Sequence, residues 1–260
     1  MSGSAVTNRK LDASGAGWAP FRGWSVLFDP PGAAPAPSLL SLDPVAVEAA
    51  PAYGVLARVA TDLVERTAAS APVELVALPA STYHVTICDG LAEDRVAADD
   101  EASRQLLGEL PDSLADWPTA LDFAAPHLWR LLAAAQGTHV LDVDAIEVRG
   151  HAIVAALSAA RGTLGESDDA LVDAREALLV RLGEHHGANF GSPWHPHVTL
   201  AYLRRREDGP LLAPRLAHLG PQARNDVGPL TFSGASLYAF TDMATYWRLP
   251  TPEPATIGTP

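Results

Sequence analysis

Twice the chain reads His-Val-Thr inside an apolar run, as YHVTIC at 83–88 and as HPHVTLAY at 195–202. On an extended strand, side chains two positions apart share a face. His84 therefore stands beside Thr86, and His197 beside Thr199, with Val85, Ile87, Val198 and Leu200 turned away. A polar pair on a strand otherwise built of Val, Ile and Leu is costly to bury, and it fits the wall of a wet cleft. Two such strands side by side would bring two imidazoles and two hydroxyls to one point. An imidazole, with an unperturbed pKa of about 6.5, serves as neutral base or charged acid at the same pH. One histidine taking a proton from water while the other gives one to a departing ribose oxygen is general acid–base cleavage of a phosphodiester. The hydroxyls would donate to non-bridging phosphate oxygens, and no metal enters the step. The competing reading is two strands carrying hydrogen-bonded core histidines.

The neighbours of these pairs allow other chemistry. His195 lies two residues before His197, and a zinc site would need a third ligand from Glu184, His185 or His186. Those three sit at the end of an expected helix, where polar residues are ordinary. Pro196 more simply starts a strand and leaves His195 at the cleft rim. Cys88 falls on the His84 face of an alternating strand and reads as a buried, unreactive thiol. Tyr83 and Tyr202 fall on the valine faces and read as packing residues. Tyr246 or Trp247 is placed to stack a base, with strand register deciding between them. Arg204-Arg205-Arg206 reads as a solvated strand end from which one Arg could steer an anion, and Arg149, before Gly150, as a turn residue.

Around the motifs the pattern alternates between strands and helices. Strands are expected at 23–30, 73–80, 82–90, 196–205, 228–234 and 236–249, with a hairpin over 140–158 turning at Arg149-Gly150. A helix is expected from Pro51 to about Thr67, and another over 124–137. A third runs from a Ser167 cap to a stop at Gly183, with Leu171, Ala174, Leu178 and Leu182 as its apolar stripe. Asp43-Pro44 marks a short helical turn. Antiparallel hairpins without regular parallel crossovers predict an α+β fold.

The stretches LPASTYHVTICDGL and HPHVTLAY resemble the two signature strands of the two-histidine (2H) phosphoesterase superfamily, the group of the LigT-like RNA ligases and cyclic phosphodiesterases. The closing LYAFTDMATYWRLP is similar to that family's last hairpin. The resemblance spans about Gly23 to Pro250, and only the two motifs are specific. It implies a bilobal fold, two antiparallel-sheet lobes with pseudo-twofold symmetry around a central cleft. It also implies 2′,3′-cyclic, 2′,5′-linked or other cyclic nucleotides, or RNA-terminal cyclic phosphates, as substrates. By the resemblance His84 and His197 become the acid–base pair and Thr86 and Thr199 the phosphate anchors, and an aromatic of the last hairpin faces the ligand, here Tyr246 or Trp247; His195, from its own place at the cleft rim, is the further candidate for substrate contact. No cofactor and no metal is expected. Cys88-Asp89-Gly90 departs from the Phe-Leu-Gly usual in LigT-like members, and 91–125 is longer than in a minimal one; both departures bear on the substrate and not on the chemistry. Rival readings on the same residues are a non-catalytic cyclic-nucleotide-binding protein and a zinc-dependent hydrolase.

Length and composition set the frame. At 260 residues with 48% apolar content, the chain supports one large domain or two small lobes. The expected organisation is a flexible tail over 1–20, a single bilobal domain over 21–250 divided near 136, and a second tail over 251–260. The start lacks the apolar core of a secretory signal, no apolar stretch spans a membrane, and one cysteine fits a reducing cytoplasm. A monomer acting on a small nucleotide or RNA end is expected, away from membranes. The formal charge of −13 opposes a long polyanion, whose binding needs many cationic contacts. Affinity for long duplex DNA or RNA is therefore expected to be negligible at physiological salt. Tight, salt-sensitive binding in a filter or anisotropy assay would refute that.

Overall fold

The apolar run at 23–28 forms β1 (Gly23–Phe28), buried along its whole length. Burial at every position suits an inner strand, and β1 lies between β3 (Thr86–Ala92) and β8 (Ala235–Asp242). Beyond β8, β9 (Thr245–Arg248) completes an antiparallel four-stranded sheet. A five-stranded antiparallel sheet has the order β2 (Leu75–Ala77), β6 (His197–Leu203), β5 (Ala152–Ala159), β4 (His139–Arg149), β7 (Leu230–Phe232). The structure, a computed structural model, describes residues 6–14, 17–31, 51–70, 73–160, 166–191 and 193–249. The expected turn at Asp43-Pro44, residues 1–5 and 15–16 of the expected N-terminal tail, the whole of the expected tail over 251–260 and the side chain of Ser167 lie outside them.

Helices α1 (Pro51–Ser70), α2 (Glu101–Gly108), α3 (Trp117–Ala120), α4 (Ala125–Ala134), α5 (Glu166–His186), α6 (Gly209–Leu216) and α7 (Leu219–Val227) flank the sheets. α5 packs on β3 and α4, whereas α1, α6 and α7 cover the larger sheet. The fold is α+β with two lobes. No helix among the described residues is long and apolar enough to cross a membrane.

Local sequence explains most of these elements. On α1 the buried Tyr53, Leu56, Ala60, Leu63 and Thr67 follow the three-and-four spacing of one helix face. Leu171, Ala174, Leu178 and Leu182 do the same on α5. The expected stop at Gly183 is corrected: α5 runs on to His186, and Gly187, with φ of 64°, carries the left-handed turn that ends it. A Cβ at Gly183 would lie 3.1 Å from the Ala188 carbonyl oxygen, so its smallness serves the returning chain. The single strand expected over 236–249 is a hairpin of β8 and β9.

Residues 6–14 do not behave as the expected tail. The amides of Thr7 and Asn8 donate to the Arg204 carbonyl at 3.0 and 3.2 Å. The buried Asn8 side chain donates to the Leu203 carbonyl at 2.9 Å. These bonds occupy the open end of β6 and lay the N-terminal segment along it.

Backbone pairing links the two sheets at Val85. Val85 forms an antiparallel bridge with Val198 of β6, while its carbonyl accepts the Phe28 amide at 3.0 Å. The chain leaves the larger sheet and enters the smaller one at this point. Gly90 supports the crossing strand, because the ring of Trp24, itself buried on β1, occupies the space where a Cβ would stand. Gly90→Ala should cost about 1–3 kcal/mol of stability by overpacking, read as a lowered midpoint in chemical denaturation. A variant as stable as the parent would show that Trp24 repacks freely.

Candidate active site

Val85 and Val198 are the central residues of the two His-Val-Thr tripeptides, and both are fully buried. In an antiparallel pair, residues flanking the bridged positions face each other on the opposite side. His84 is thereby set against Thr199 and Thr86 against His197. All four line one cleft of about 810 Å³. His84 lies just before β3 and His197 opens β6, each half-buried.

The imidazoles are held alike. His84 Nδ1 lies 2.7 Å from the Thr82 carbonyl oxygen, and His197 Nδ1 lies 2.9 Å from the His195 carbonyl oxygen. A carbonyl only accepts, so each Nδ1 carries the hydrogen and each Nε2 keeps its lone pair. In both motifs the anchor is the backbone of the residue two positions earlier. Arg149 Nη1 also donates to the His195 carbonyl at 3.0 Å and lies 3.4 Å from His197 Nδ1. Its Nε donates to Glu147 Oε1 at 2.7 Å.

Strand alternation does not hold beyond the threonines. Cα pairing of β1 with β3 joins Val26 to Cys88 and Leu27 to Thr86, leaving Ile87 as an extra residue. Pairing of β5 with β6 joins Ile153 to Ala201 and Val154 to Thr199, leaving Leu200 as another. Each is a β-bulge one residue after the motif threonine, and each shifts the pleat by one. Asp89 and Tyr202, both three residues after a threonine, consequently line the cleft with it. This corrects two expectations: Tyr202 is a cleft residue, and the buried Cys88 faces away from the site, where burial pushes its thiol up to about 12. The displaced carbonyls are satisfied. Arg175 of α5, itself buried, donates from Nε to the Ile87 carbonyl at 2.7 Å, and the Leu78 amide donates to that of Leu200 at 2.9 Å.

Of the two aromatics near the C-terminus, Tyr246 pairs with Phe240 and lines the cleft, whereas Trp247 pairs with Ala239 and does not. The Tyr246 ring lies 5.0 Å from that of His84. It is buried and walls the histidine rather than presenting an open stacking face. Tyr83 packs in the core as expected. His195 stands exposed at the rim, contributing its carbonyl to the site. Arg204 pairs with Glu74 and Arg205 with Asp208, and neither they nor Arg206 lines the cleft. His185 stacks on Phe123 at 3.6 Å, and His186 Nδ1 lies 3.3 Å from Asp100 Oδ2. Among the described residues no three His, Cys, Asp or Glu side chains converge, so the EHH cluster does not supply the third ligand that a zinc site at His195 and His197 would need.

The cleft differs in sign from the molecule. Five cationic side chains line it, Arg9, Lys10, Arg95, Arg149 and Arg175, against two carboxylates, Asp89 and Asp94. Sequence reading missed this set because its members come from the N-terminal segment, the loop after β3, the hairpin turn and α5. Their only common feature is where the fold puts them.

No protein-family model matches this chain, and no curated protein matches it. Among solved structures it is similar to a conserved protein of unknown function from Agrobacterium tumefaciens, at a TM-score of 0.57 and 15% identity over 94% of this chain and 90% of that one. It also matches E. coli LigT complexed with 3′-AMP, at a TM-score of 0.39 and 18% identity over 89% of this chain and 96% of that one. The likeness in fold rests on the first.

Burial beside Tyr246 is the main cause that lowers the His84 pKa to about 4, against the Thr82 carbonyl that raises it; His197, Lys10 and Asp89 act less strongly. Burial likewise lowers His197, with the His195 carbonyl opposing and Arg149 reinforcing. Both histidines are therefore neutral at pH 7 in the free protein. An unfolded histidine titrates near 6.5, so between about pH 4 and 6.5 the unfolded chain binds more protons than the folded one. Stability contributed by keeping His84 neutral is complete above about 6.5 and is lost as pH falls toward about 4. NMR titration should place His84 near 4 and His197 below 6.5, and His84→Gln should flatten the fall in melting temperature across that window. A His84 midpoint at 6.5 would mean the ring is solvated.

Proposed function

We propose that this chain is a phosphodiesterase of the two-histidine type. Its substrate would be a cyclic or 2′,5′-linked nucleotide, or an RNA end bearing a 2′,3′-cyclic phosphate. The observation that carries the reading is the Val85–Val198 bridge, which sets two imidazoles and two hydroxyls around one cleft. The resemblance of LPASTYHVTICDGL and HPHVTLAY to the 2H signature strands agrees with it, and so does the cationic lining of an acidic protein.

In the hydrolytic direction His84, the more strongly desolvated ring, acts as the base. Its Nε2 takes a proton from water as the water oxygen bonds to phosphorus. His197, protonated, gives its Nε2 proton to the ribose oxygen whose bond to phosphorus breaks. Thr86 and Thr199 donate to the non-bridging oxygens, where charge concentrates in the transition state. The products are a phosphomonoester and a free hydroxyl. In the reverse direction the two histidines exchange roles. Acid–base transfer of this kind requires no metal.

Turnover of a 2′,3′-cyclic mononucleotide in EDTA separates this enzyme from a protein that only retains the nucleotide. His84→Ala and His197→Ala should each remove most activity, with the double variant scarcely worse, because the two act in one transition state. Thr86→Val and Thr199→Val should each cost about 1–3 kcal/mol of transition-state stabilisation with little change in stability. The profile of kcat/KM reports the free enzyme. It should be a bell on the acid side of 6.5, rising near 4 as His84 loses its proton and falling as His197 loses its own. An alanine variant of either histidine that keeps near-normal turnover with the bell intact would end the proposal.

A further inference from the structure

With both imidazoles neutral at pH 7, the two motifs offer an entering phosphodiester only neutral donors. The anion would leave water for a half-buried cleft without a formal counter-charge from the residues that touch it, which is unfavourable. A cation must come from elsewhere in the lining, and four of its five cations are engaged. Arg9 pairs with Asp94, and Arg95 with Asp89 at 3.4 Å. Arg149 is held by Glu147 and the His195 carbonyl, on the Nδ1 side of His197 and away from its Nε2. Arg175 is held by the Ile87 carbonyl.

Lys10 is different. Among the described residues its ammonium meets no carboxylate and no carbonyl. Nζ donates to the Tyr202 hydroxyl at 3.2 Å and lies 5.1 Å from the ring centres of both Phe21 and Tyr202. The lysine is half-buried, and aromatic faces partly offset the loss of water around such a charge. Its field reaches both catalytic candidates, opposing protonation of His84 and of His197. The position is built from two directions. The Leu200 bulge turns Tyr202 into the cleft to receive Nζ, while Asn8, bound to the end of β6, fixes the segment that delivers it.

We infer that Lys10 is the cationic ligand of the substrate's phosphate, carried into the cleft by the N-terminal segment, with Tyr202 as its positioning residue. The inference rests on the phosphodiester reading above and adds the charge that reading lacks. Nζ would move from the Tyr202 hydroxyl to a non-bridging oxygen and form a charge-assisted hydrogen bond.

The test uses the full chain and inorganic phosphate as the probe. Lys10→Met keeps the apolar stem between the two rings and deletes the charge. Phosphate Kd by calorimetry should rise about tenfold or more, the scale of one hydrogen bond between charged groups. Lys10→Arg should recover most of the affinity, and the melting temperature should stay near the parent's. In the same Lys10→Met protein the NMR titrations of His84 and His197 should both move upward, which checks that the charge acts within the cleft. If Met disturbs the segment, Lys10→Gln serves in its place. Unchanged phosphate affinity in a folded, uncharged variant overturns the inference, whatever the turnover. A parent chain that binds phosphate through Lys10 but leaves 2′,3′-cyclic mononucleotides intact removes the phosphodiesterase reading and keeps the cation site.

Discussion

One antiparallel bridge, between Val85 and Val198, organises this molecule. Both valines are buried, so their neighbours on either side must turn toward solvent. Those neighbours are the two histidines and the two threonines. The fold therefore needs no separate device to gather them; the pairing that joins the sheets also builds the wall of the cleft. The bulge after Thr86 follows from the same junction: a strand crossing between twisted sheets must bend, and an extra residue bends it. The carbonyls displaced at the two bulges, of Ile87 and Leu200, are bound by Arg175 and Leu78.

Charge is organised on a second scale. The whole chain carries −13, yet the cleft lining holds five cations and two carboxylates. An acidic exterior disfavours extended polyanions, whereas a cationic recess favours a compact anion that fits inside it. The two properties together select by size as much as by charge. A cleft of about 810 Å³ falls in the range typical of small-ligand sites.

How much of this was legible in the sequence depends on which physical signal each residue leaves. The repeated His-Val-Thr and the apolar stripes of α1 and α5 are periodic, and periodicity survives into the fold. A bulge leaves no such trace, because an inserted residue looks like any other strand residue until its partner is known. That is why Cys88 and Tyr202 exchange faces relative to simple alternation. Register likewise decided between Tyr246 and Trp247. Gly183 and Gly187 are both plausible helix ends, and only the path of the returning chain separates them. Lys10 and Arg149 carry no motif at all. Their roles come from a segment that reads as a tail and a turn that reads as a connector.

The double engagement of Val85 has a mechanical consequence. Its carbonyl belongs to the smaller sheet through Phe28, and its pairing with Val198 belongs to the larger. A rotation of one sheet against the other that broke this pairing would pull each histidine away from the threonine it faces. Two-lobed proteins commonly close by rotation; here the linking pair and the reacting groups coincide. Any adjustment to an incoming ligand must then fall on side chains and on the bordering loops, leaving the backbone of the two tripeptides as a fixed anvil.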